Sequence, residues 1–268
     1  MQWMTAIAIA LAVPATSKPS TVLRARPGIA VTTAAQHGVV TPMPGKAFYY
    51  LPASAIEGRP VLLLVVLPGT KGSAKEMVAL LRPAAEAKGF ALLGVDPGPT
   101  GNFDAIEQFF DDRDAGRKSA FRDWPTPKFG GDARRLDRAL SDMFERTSVS
   151  RVGLLGFSHG GSYALSIGLA NPDLFSTIAA LSPGLLLLPP LAKGGRQSVF
   201  LAHGRADAAQ PYRRTACVMV PKLKALGYKV QFMARPGGHG MDNDELLAAI
   251  GDFLGNSAAG STPDPADC

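Results

Sequence analysis

The stretch Gly156-Phe157-Ser158-His159-Gly160-Gly161 constrains the fold of this 268-residue chain more than any other segment. The apolar run Val152–Leu155 precedes it, and the small-residue stretch Ser162–Leu165 follows it. A Gly-X-Ser-X-Gly string occurs by chance in many proteins, but here a strand pattern leads into it and a helix pattern leaves it. The combination predicts a sharp strand-to-helix turn that exposes the Ser158 hydroxyl above a sheet edge.

Apolar stretches alternate with helical patterns along the rest of the chain. The apolar stretches are continuous rather than alternating in hydrophobicity, which is typical of parallel strands covered on both faces. With the turn at Ser158, this alternation resembles the α/β-hydrolase fold, a mostly parallel sheet with helices on both faces. Residues 39–51 predict an opening hairpin or meander. The predicted strands are Val61–Leu67, Phe90–Val95, Val152–Phe157, Thr177–Leu181, Val199–Ala202 and Val230–Ala234. The predicted helices are Ala74–Lys88, Asp132–Arg146, Gly161–Ala170, Arg213–Leu226 and Asp244–Phe253, and we expect Pro221 to kink or split the fourth.

A serine hydroxyl needs a base to become a nucleophile, and the chain has only four histidines. His37 precedes the predicted core, and the side chain of His159 is expected to point away from the hydroxyl. His203 closes an apolar strand and is interpreted as structural. His239 lies in a glycine-rich loop after the last predicted strand, where the α/β-hydrolase fold presents its base. We therefore expect His239 to be the base.

The base in turn needs a carboxylate, which this fold supplies between the serine and the histidine in the sequence. Asp207, at the end of the stretch His203–Asp207, follows the penultimate predicted strand. The order Ser158, Asp207, His239 then matches the fold. A turn or cap role is the alternative for Asp207. Asp242 lies beyond His239 and is expected to cap the last helix.

Acyl transfer also requires N–H donors for the oxyanion that develops on the substrate. We expect one donor to be the backbone N–H of His159, directly after the serine. The second is expected to be the N–H of Thr70, in the turn Pro68–Gly72 after the first long strand. Many α/β-hydrolases have His-Gly where this chain has Pro68-Gly69; the difference keeps the backbone donor and removes a supporting side chain.

Four sequence blocks resemble the phospholipase/carboxylesterase group of α/β-hydrolases and the related polyhydroxybutyrate-depolymerase-like esterases. They are Leu67–Gly69, Gly156–Gly161, His203–Asp207 with Pro211, and Gly238–Gly240. The resemblance implies a serine hydrolase that acts on a small-molecule or polymeric carboxylic ester, without cofactor. The sequence has no Cys/His cluster with metal-ligand spacing, so we expect no metal. Related dienelactone hydrolases have cysteine where Ser158 stands, which disfavours their activity here. A polyhydroxyalkanoate or feruloyl-type esterase, a peptidase or acyltransferase, and a non-catalytic binding scaffold remain alternatives.

Two segments after strand ends depart from the regular pattern. Residues 98–131 form a long insert with Phe109-Phe110 and Phe121–Pro125, expected either to wall the pocket or to anchor a loop. Gly184–Leu191 contains four consecutive leucines. We interpret them as lining an acyl pocket, and a buried connection is the alternative.

The chain divides into a possible signal peptide (residues 1–17), an α/β-hydrolase domain (18–256) and a Ser/Pro-rich tail (257–268). The apolar stretch Thr5–Val13 is too short to span a bilayer and precedes small residues typical of a cleavage region, although no Lys or Arg comes before it. We expect a periplasmic or secreted protein with no stable membrane anchor, with a cytoplasmic one as the alternative.

The cysteines and the charge add two further expectations. Cys217 and Cys268 would pair in an exported protein and pin the tail, or stay as two thiols otherwise; the sequence leaves both open. The net charge of +6 is spread over the chain without a basic tract, so we expect no nucleic-acid partner. The oligomeric state is not predicted.

Overall fold

An eight-stranded sheet forms the centre of the protein, in the strand order β1-β2-β4-β3-β5-β6-β7-β8. The computed structural model describes residues 23–107, 129–186, 196–256, 262–264 and 266–268. The strands are β1 (Thr41–Met43), β2 (Ala47–Tyr50), β3 (Val61–Leu67), β4 (Phe90–Val95), β5 (Val149–Phe157), β6 (Phe175–Leu181), β7 (Ser198–Gly204) and β8 (Lys229–Arg235). β1 and β2 form the expected hairpin, and β2 pairs antiparallel with β4. All other pairs are parallel, which confirms the α/β-hydrolase fold.

Helices cover both faces of this sheet. They are α1 (Ala74–Lys88), α2 (Gly130–Phe144), α3 (His159–Leu169), α4 (Ala216–Ala225) and α5 (Asn243–Leu254). Buried residues of α1 and α5, such as Val78 and Phe253, share a core cluster on one face. Those of α2, α3 and α4, such as Leu140 and Val220, share the cluster on the other face. Because both faces are covered, β4 is buried along its whole length, as its continuous hydrophobicity predicts.

The predicted helix Arg213–Leu226 is divided, but not at Pro221. A short 3₁₀ turn spans Tyr212–Arg214, and α4 begins after Thr215, whose φ of −114° and ψ of −82° are not helical. The Thr215 hydroxyl lies 3.0 Å from the Pro211 carbonyl oxygen, so the break is stabilised by local hydrogen bonding. Pro221 lies inside α4, and the prediction that it splits the helix is wrong. The other predicted strands and helices are present, with ends shifted by a few residues.

Parts of two predicted segments lie outside the described residues. The residues outside the description include Phe109-Phe110 and Phe121–Pro125 of the insert. They also include Leu187–Leu191 of the leucine segment. Leu185 and Leu186 are described and lie buried in the core, which favours a buried connection over a pocket wall for this part. Residues 1–17 are likewise outside the description. Among the helices that it does include, none is long and apolar enough to cross a membrane.

A disulfide between Cys217 and Cys268 attaches the end of the tail to α4. The Cα atoms of the two residues are 5.7 Å apart, and 51 positions separate them in the sequence. Next to the bridge, the Asp267 carboxylate pairs with the Arg205 guanidinium. The tail end therefore lies against the turn that follows β7, and the choice left open by the sequence is resolved in favour of pairing.

We predict that replacing both cysteines, Cys217→Ser with Cys268→Ser, lowers the free energy of unfolding by up to about 4 kcal/mol. Without the disulfide, the unfolded chain is no longer closed into a loop and gains conformational entropy. Urea denaturation under oxidising conditions measures the difference. Reductant should lower the stability of the wild type toward that of the variant and leave the variant unchanged. Equal midpoints for wild type and variant without reductant would contradict the prediction.

Candidate active site

Ser158 occupies a strained turn between β5 and α3. Its φ of 54° and ψ of −117° are unfavourable for a residue with a Cβ. Two backbone hydrogen bonds hold it there: the Ser158 N–H donates to the Leu181 carbonyl at 2.8 Å, and its carbonyl accepts from the Ser162 N–H at 2.9 Å. The first bond ties the turn to the end of β6, and the second begins α3. This is the predicted strand-turn-helix arrangement.

Two glycines of the motif are required because other backbone atoms lie very close to them. A Cβ on Gly156 would lie 2.2 Å from the Gly160 carbonyl oxygen. A Cβ on Gly160 would lie 2.3 Å from the Pro68 carbonyl oxygen and 2.4 Å from that of Leu67. These distances are far below van der Waals contact, so no side chain fits at either position. The start of α3 thus packs directly against the end of β3.

The structure brings the three predicted reactive side chains into one hydrogen-bonded series. The Ser158 Oγ lies 2.8 Å from the His239 Nε2, and the His239 Nδ1 lies 2.8 Å from the Asp207 Oδ2. Since a carboxylate only accepts, the His239 Nδ1–H donates to Asp207, and Nε2 is left to accept the serine proton. Ser158, Asp207 and His239 follow the carboxyl ends of β5, β7 and β8, so three different strands bring them together.

Asp207 is buried, and its second oxygen is also bonded. The Asp207 Oδ1 accepts from the Gln210 N–H at 2.7 Å, which fixes the carboxylate plane. The Nε2 of His203 donates to the Gln210 carbonyl at 2.7 Å and lies 3.4 Å from the Asp207 Oδ2. Burial lowers the pKa of His203, which keeps its ring neutral at neutral pH. His203 thus supports the turn that carries Asp207, in agreement with its structural interpretation.

Thr70 lies in the turn after β3, which passes over Ser158. A Cβ on the preceding Gly69 would lie 3.3 Å from the Ser158 Cβ. The Gly72 N–H closes the turn on the Gly69 carbonyl at 2.9 Å, and the Lys71 N–H donates to the Gly101 carbonyl at 3.0 Å. The turn that contains Thr70 therefore approaches Ser158 and is held by backbone hydrogen bonds.

His159 is the first residue of α3, and its ring is turned toward the insert. Its Nδ1 accepts from the Phe103 N–H at 3.2 Å. Burial lowers the pKa of His159 to about 4, so the ring is neutral at neutral pH. The Ser158 hydroxyl lies 2.8 Å from the ring of His239. The start of the insert is anchored here, since Phe103 also stacks on Tyr163 at 4.4 Å between ring centroids.

Asp242 and His37 are the remaining candidate residues from the sequence analysis. The Asp242 side chain accepts from the Glu245 N–H at 3.0 Å, and Glu245 returns a bond to the Asp242 N–H, so the predicted cap of the last helix is confirmed. His37 is exposed. Within the described residues, no group of three or more His, Cys, Asp or Glu side chains is placed to hold a metal ion.

Apart from His203, sequence reasoning did not identify residues that support the three side chains. Gln210 holds Asp207 through its backbone, and the Ser182 hydroxyl donates to the Gly240 carbonyl beside His239 at 3.1 Å. The Phe157 ring lies 5.3 Å from the His239 ring between centroids. An aspartate side chain that accepts from the backbone N–H three residues on makes the bond typical of a cap residue, so the cap alternative for Asp207 was the available signal for Gln210. No comparable signal indicates Ser182, because that contact joins distant parts of the chain.

Residues 46–220 match the family described as "Putative esterase". The chain belongs to this esterase family. The acyl-protein thioesterase 1 of Neurospora crassa is 38% identical over 114 residues, which are 40% of this chain and 46% of that protein. The chain spans less than half the length of the curated relatives it matches.

Solved structures of esterases share the fold at low sequence identity. The structure of esterase PE8 is 22% identical with a TM-score of 0.55, over 82% of this chain and 99% of that one. A phospholipase/carboxylesterase from Dyadobacter fermentans is 19% identical with a TM-score of 0.53, over 84% of this chain and 100% of that one. At these identities the similarity concerns the fold.

We predict that Gly160→Ala destabilises the protein by about 3 kcal/mol, because the new methyl group meets two backbone carbonyls that a rotamer change cannot move. Thermal and urea denaturation measure the loss. Gly251→Ala is the matched control in α5, since the nearest atom to a Cβ there is the Asn256 carbonyl oxygen at 3.6 Å. That variant should gain about 0.5–1 kcal/mol from helix propensity. Equal stabilities for the two variants would refute the steric argument.

Proposed function

We propose that this protein is a serine hydrolase that cleaves carboxylic esters through an acyl-enzyme intermediate. The observation that carries the proposal is the series of two 2.8 Å contacts from Ser158 through His239 to buried Asp207. This is the geometry of a nucleophile, a base and an orienting acid, and it occurs in a member of an esterase family.

In the first half of the reaction, the Ser158 Oγ attacks the ester carbonyl carbon as the His239 Nε2 takes the hydroxyl proton. The tetrahedral intermediate collapses when the bond to the alcohol oxygen breaks, and the proton on Nε2 passes to that oxygen. Asp207 holds the His239 Nδ1–H, so that Nε2 is the basic nitrogen, and its charge stabilises the imidazolium. The alcohol leaves and the acyl group remains on Ser158.

The oxyanion of the tetrahedral intermediate is stabilised by the N–H groups of Thr70 and His159. The close approach of the Gly69 turn to Ser158 supports the first assignment. The position of His159 at the positive end of α3 supports the second, since a helix N-terminus favours negative charge. In the second half of the reaction, water attacks the acyl-enzyme with His239 as base, and the acid product and Ser158 are released.

A thioester is the second candidate substrate class, because the Neurospora relative is named as a thioesterase. The same three residues serve both substrates, since the tetrahedral intermediate forms at the same carbonyl and only the leaving atom differs. A pair of substrates with one acyl chain, an oxygen ester and its thioester, separates the two classes by their kcat/KM values.

Export from the cytoplasm is part of the proposal, and the Cys217–Cys268 disulfide supports it. Structural disulfides persist in oxidising compartments and are rare in the cytosol. Residues 1–17 are the proposed export signal.

We predict that Ser158→Ala lowers kcat for p-nitrophenyl esters by about four to six orders of magnitude. Asp207→Asn should lower kcat by about four orders of magnitude, because the imidazole is then held in the wrong tautomer. The measurement is hydrolysis of a p-nitrophenyl series from acetate to palmitate, together with labelling by a fluorophosphonate. The wild type should be labelled at Ser158.

Asp244→Asn is the control for the acid, since Asp244 is an exposed carboxylate in the first turn of α5. It should keep the wild-type rate. Ester turnover that survives Ser158→Ala would remove Ser158 from the mechanism. A folded wild type that neither hydrolyses any ester or thioester nor reacts with the fluorophosphonate would favour a binding scaffold.

We predict that Thr70→Pro lowers kcat by about 10²–10³, because proline removes one N–H donor from the oxyanion site. Thr70→Ala keeps the N–H and should lose less than about tenfold. Steady-state kinetics with p-nitrophenyl butyrate compare the two variants. Similar losses in both would mean that the side chain of Thr70, and not its backbone, matters.

A further inference from the structure

The loop that carries His239 has little conformational restriction of its own. It connects β8 to α5 and includes Gly237, Gly238 and Gly240, so three of the residues around His239 are glycines. Glycine has the largest backbone freedom of any residue, and a flexible loop would let the imidazole leave the 2.8 Å contact with Ser158. The contacts that hold the loop are therefore decisive for the site.

The Arg235 guanidinium bonds to the backbone on both sides of His239. Its Nη2 donates to the Gly238 carbonyl at 2.6 Å and to the Gly240 carbonyl at 2.8 Å. The guanidinium passes so close to the loop that a Cβ on Gly237 would lie 2.4 Å from its Nη1. Only one residue, His239, lies between the two bonded carbonyls.

The other side of the same guanidinium is attached to the protein core. The Arg235 Nε donates to the Glu245 Oε1 at 2.9 Å, and the Glu245 side chain is fully buried. The second oxygen of Glu245 accepts from the Asp242 N–H, so this carboxylate is fixed in the first turn of α5. Helix α5 in turn packs on the sheet through Leu246 and Ile250. The loop is thus linked to a rigid helix through one planar group.

We propose that Arg235 is a positioning residue for His239. Its guanidinium holds the carbonyls of Gly238 and Gly240 against buried Glu245, and thereby keeps the imidazole in line with Ser158 and Asp207. Arginine suits this task because its planar fork presents several donors in fixed directions, which a lysine ammonium does not. The inference rests on the proposed function, in which His239 is the base.

The test compares Arg235→Met, which keeps the chain length and removes every donor, with Arg235→Lys and Glu245→Gln. With p-nitrophenyl butyrate, kcat should fall about 10–100-fold in Arg235→Met, since a displacement of about 1 Å at a reactive group has an effect of that size. KM should change less than about threefold, because the donors of Arg235 are directed at Glu245 and at the Gly238 and Gly240 carbonyls. Arg235→Lys and Glu245→Gln should each give a smaller loss of kcat in the same direction.

Arg151→Met is the matched control. Arg151 is also partly buried and donates to a carbonyl of α5, that of Phe253 at 2.6 Å, but it lies near the start of β5 and away from the site. It should leave kcat at the wild-type value while losing stability as the Arg235 variant does. Circular dichroism and thermal melting establish that each variant is folded.

A proton NMR spectrum supplies a readout that does not depend on turnover. The proton that His239 shares with Asp207 should give a downfield signal in the wild type and in Arg151→Met, and this signal should broaden or vanish in Arg235→Met. A folded Arg235→Met with wild-type kcat and an unchanged signal would overturn the proposal. Should that variant not fold, wild-type kcat in both Arg235→Lys and Glu245→Gln would overturn it equally.

The failure of this inference is distinguishable from the failure of the proposed function. If the wild type neither turns over esters nor reacts with a fluorophosphonate, the proposed function fails, and the NMR signal alone then decides whether Arg235 positions His239. If the wild type is active and the Arg235 variants match it, the proposed function stands and the positioning role is wrong.

Discussion

The direct backbone contact between the start of α3 and the end of β3 determines the geometry of the whole site. Gly160 touches the carbonyls of Leu67 and Pro68 with no side chain between them. This contact fixes where α3 begins relative to the sheet, and so it fixes the strained conformation of Ser158. The same contact brings the turn carrying Thr70 over Ser158. A larger distance between α3 and β3 would therefore separate Ser158 from its proposed oxyanion donor, the Thr70 N–H.

Asp207 and His239 are positioned relative to each other by backbone hydrogen bonds between their loops. The Arg205 N–H donates to the Arg235 carbonyl at 2.7 Å, and the Ala206 N–H donates to the Gly237 carbonyl at 3.1 Å. These bonds continue the pairing of β7 with β8 beyond the sheet edge. Asp207 and His239 therefore follow directly from an extended strand pair. Their contact depends on register, since a slip of one residue would reverse the direction of every side chain.

The sequence predicted the parts of this structure that local chemistry specifies. Ser158, Asp207 and His239 each follow an apolar strand, and the strand ends of a parallel sheet meet at one edge, so their meeting could be inferred from order and spacing. The break in the helix after β7 was misplaced because Thr215, and not Pro221, leaves the helical conformation. The Cys217–Cys268 pair and the bonds of Arg235 could not be inferred, since each depends on how distant segments approach in three dimensions.

Buried carboxylates hold three of the loops at the carboxyl edge of the sheet. Asp207 accepts from the Gln210 backbone, and Glu245 accepts from Arg235. Asp132 pairs with Arg135 and accepts from the Asp104 N–H, which anchors the described start of the insert. Loops have no regular ladder of backbone bonds, and a charged acceptor replaces that ladder with stronger hydrogen bonds. Burial of such a group is costly, as the raised pKa of Glu245 that burial causes indicates. The cost is tolerated here because each carboxylate fixes a loop against a core helix or strand, and the precise geometry at Ser158 depends on those loops.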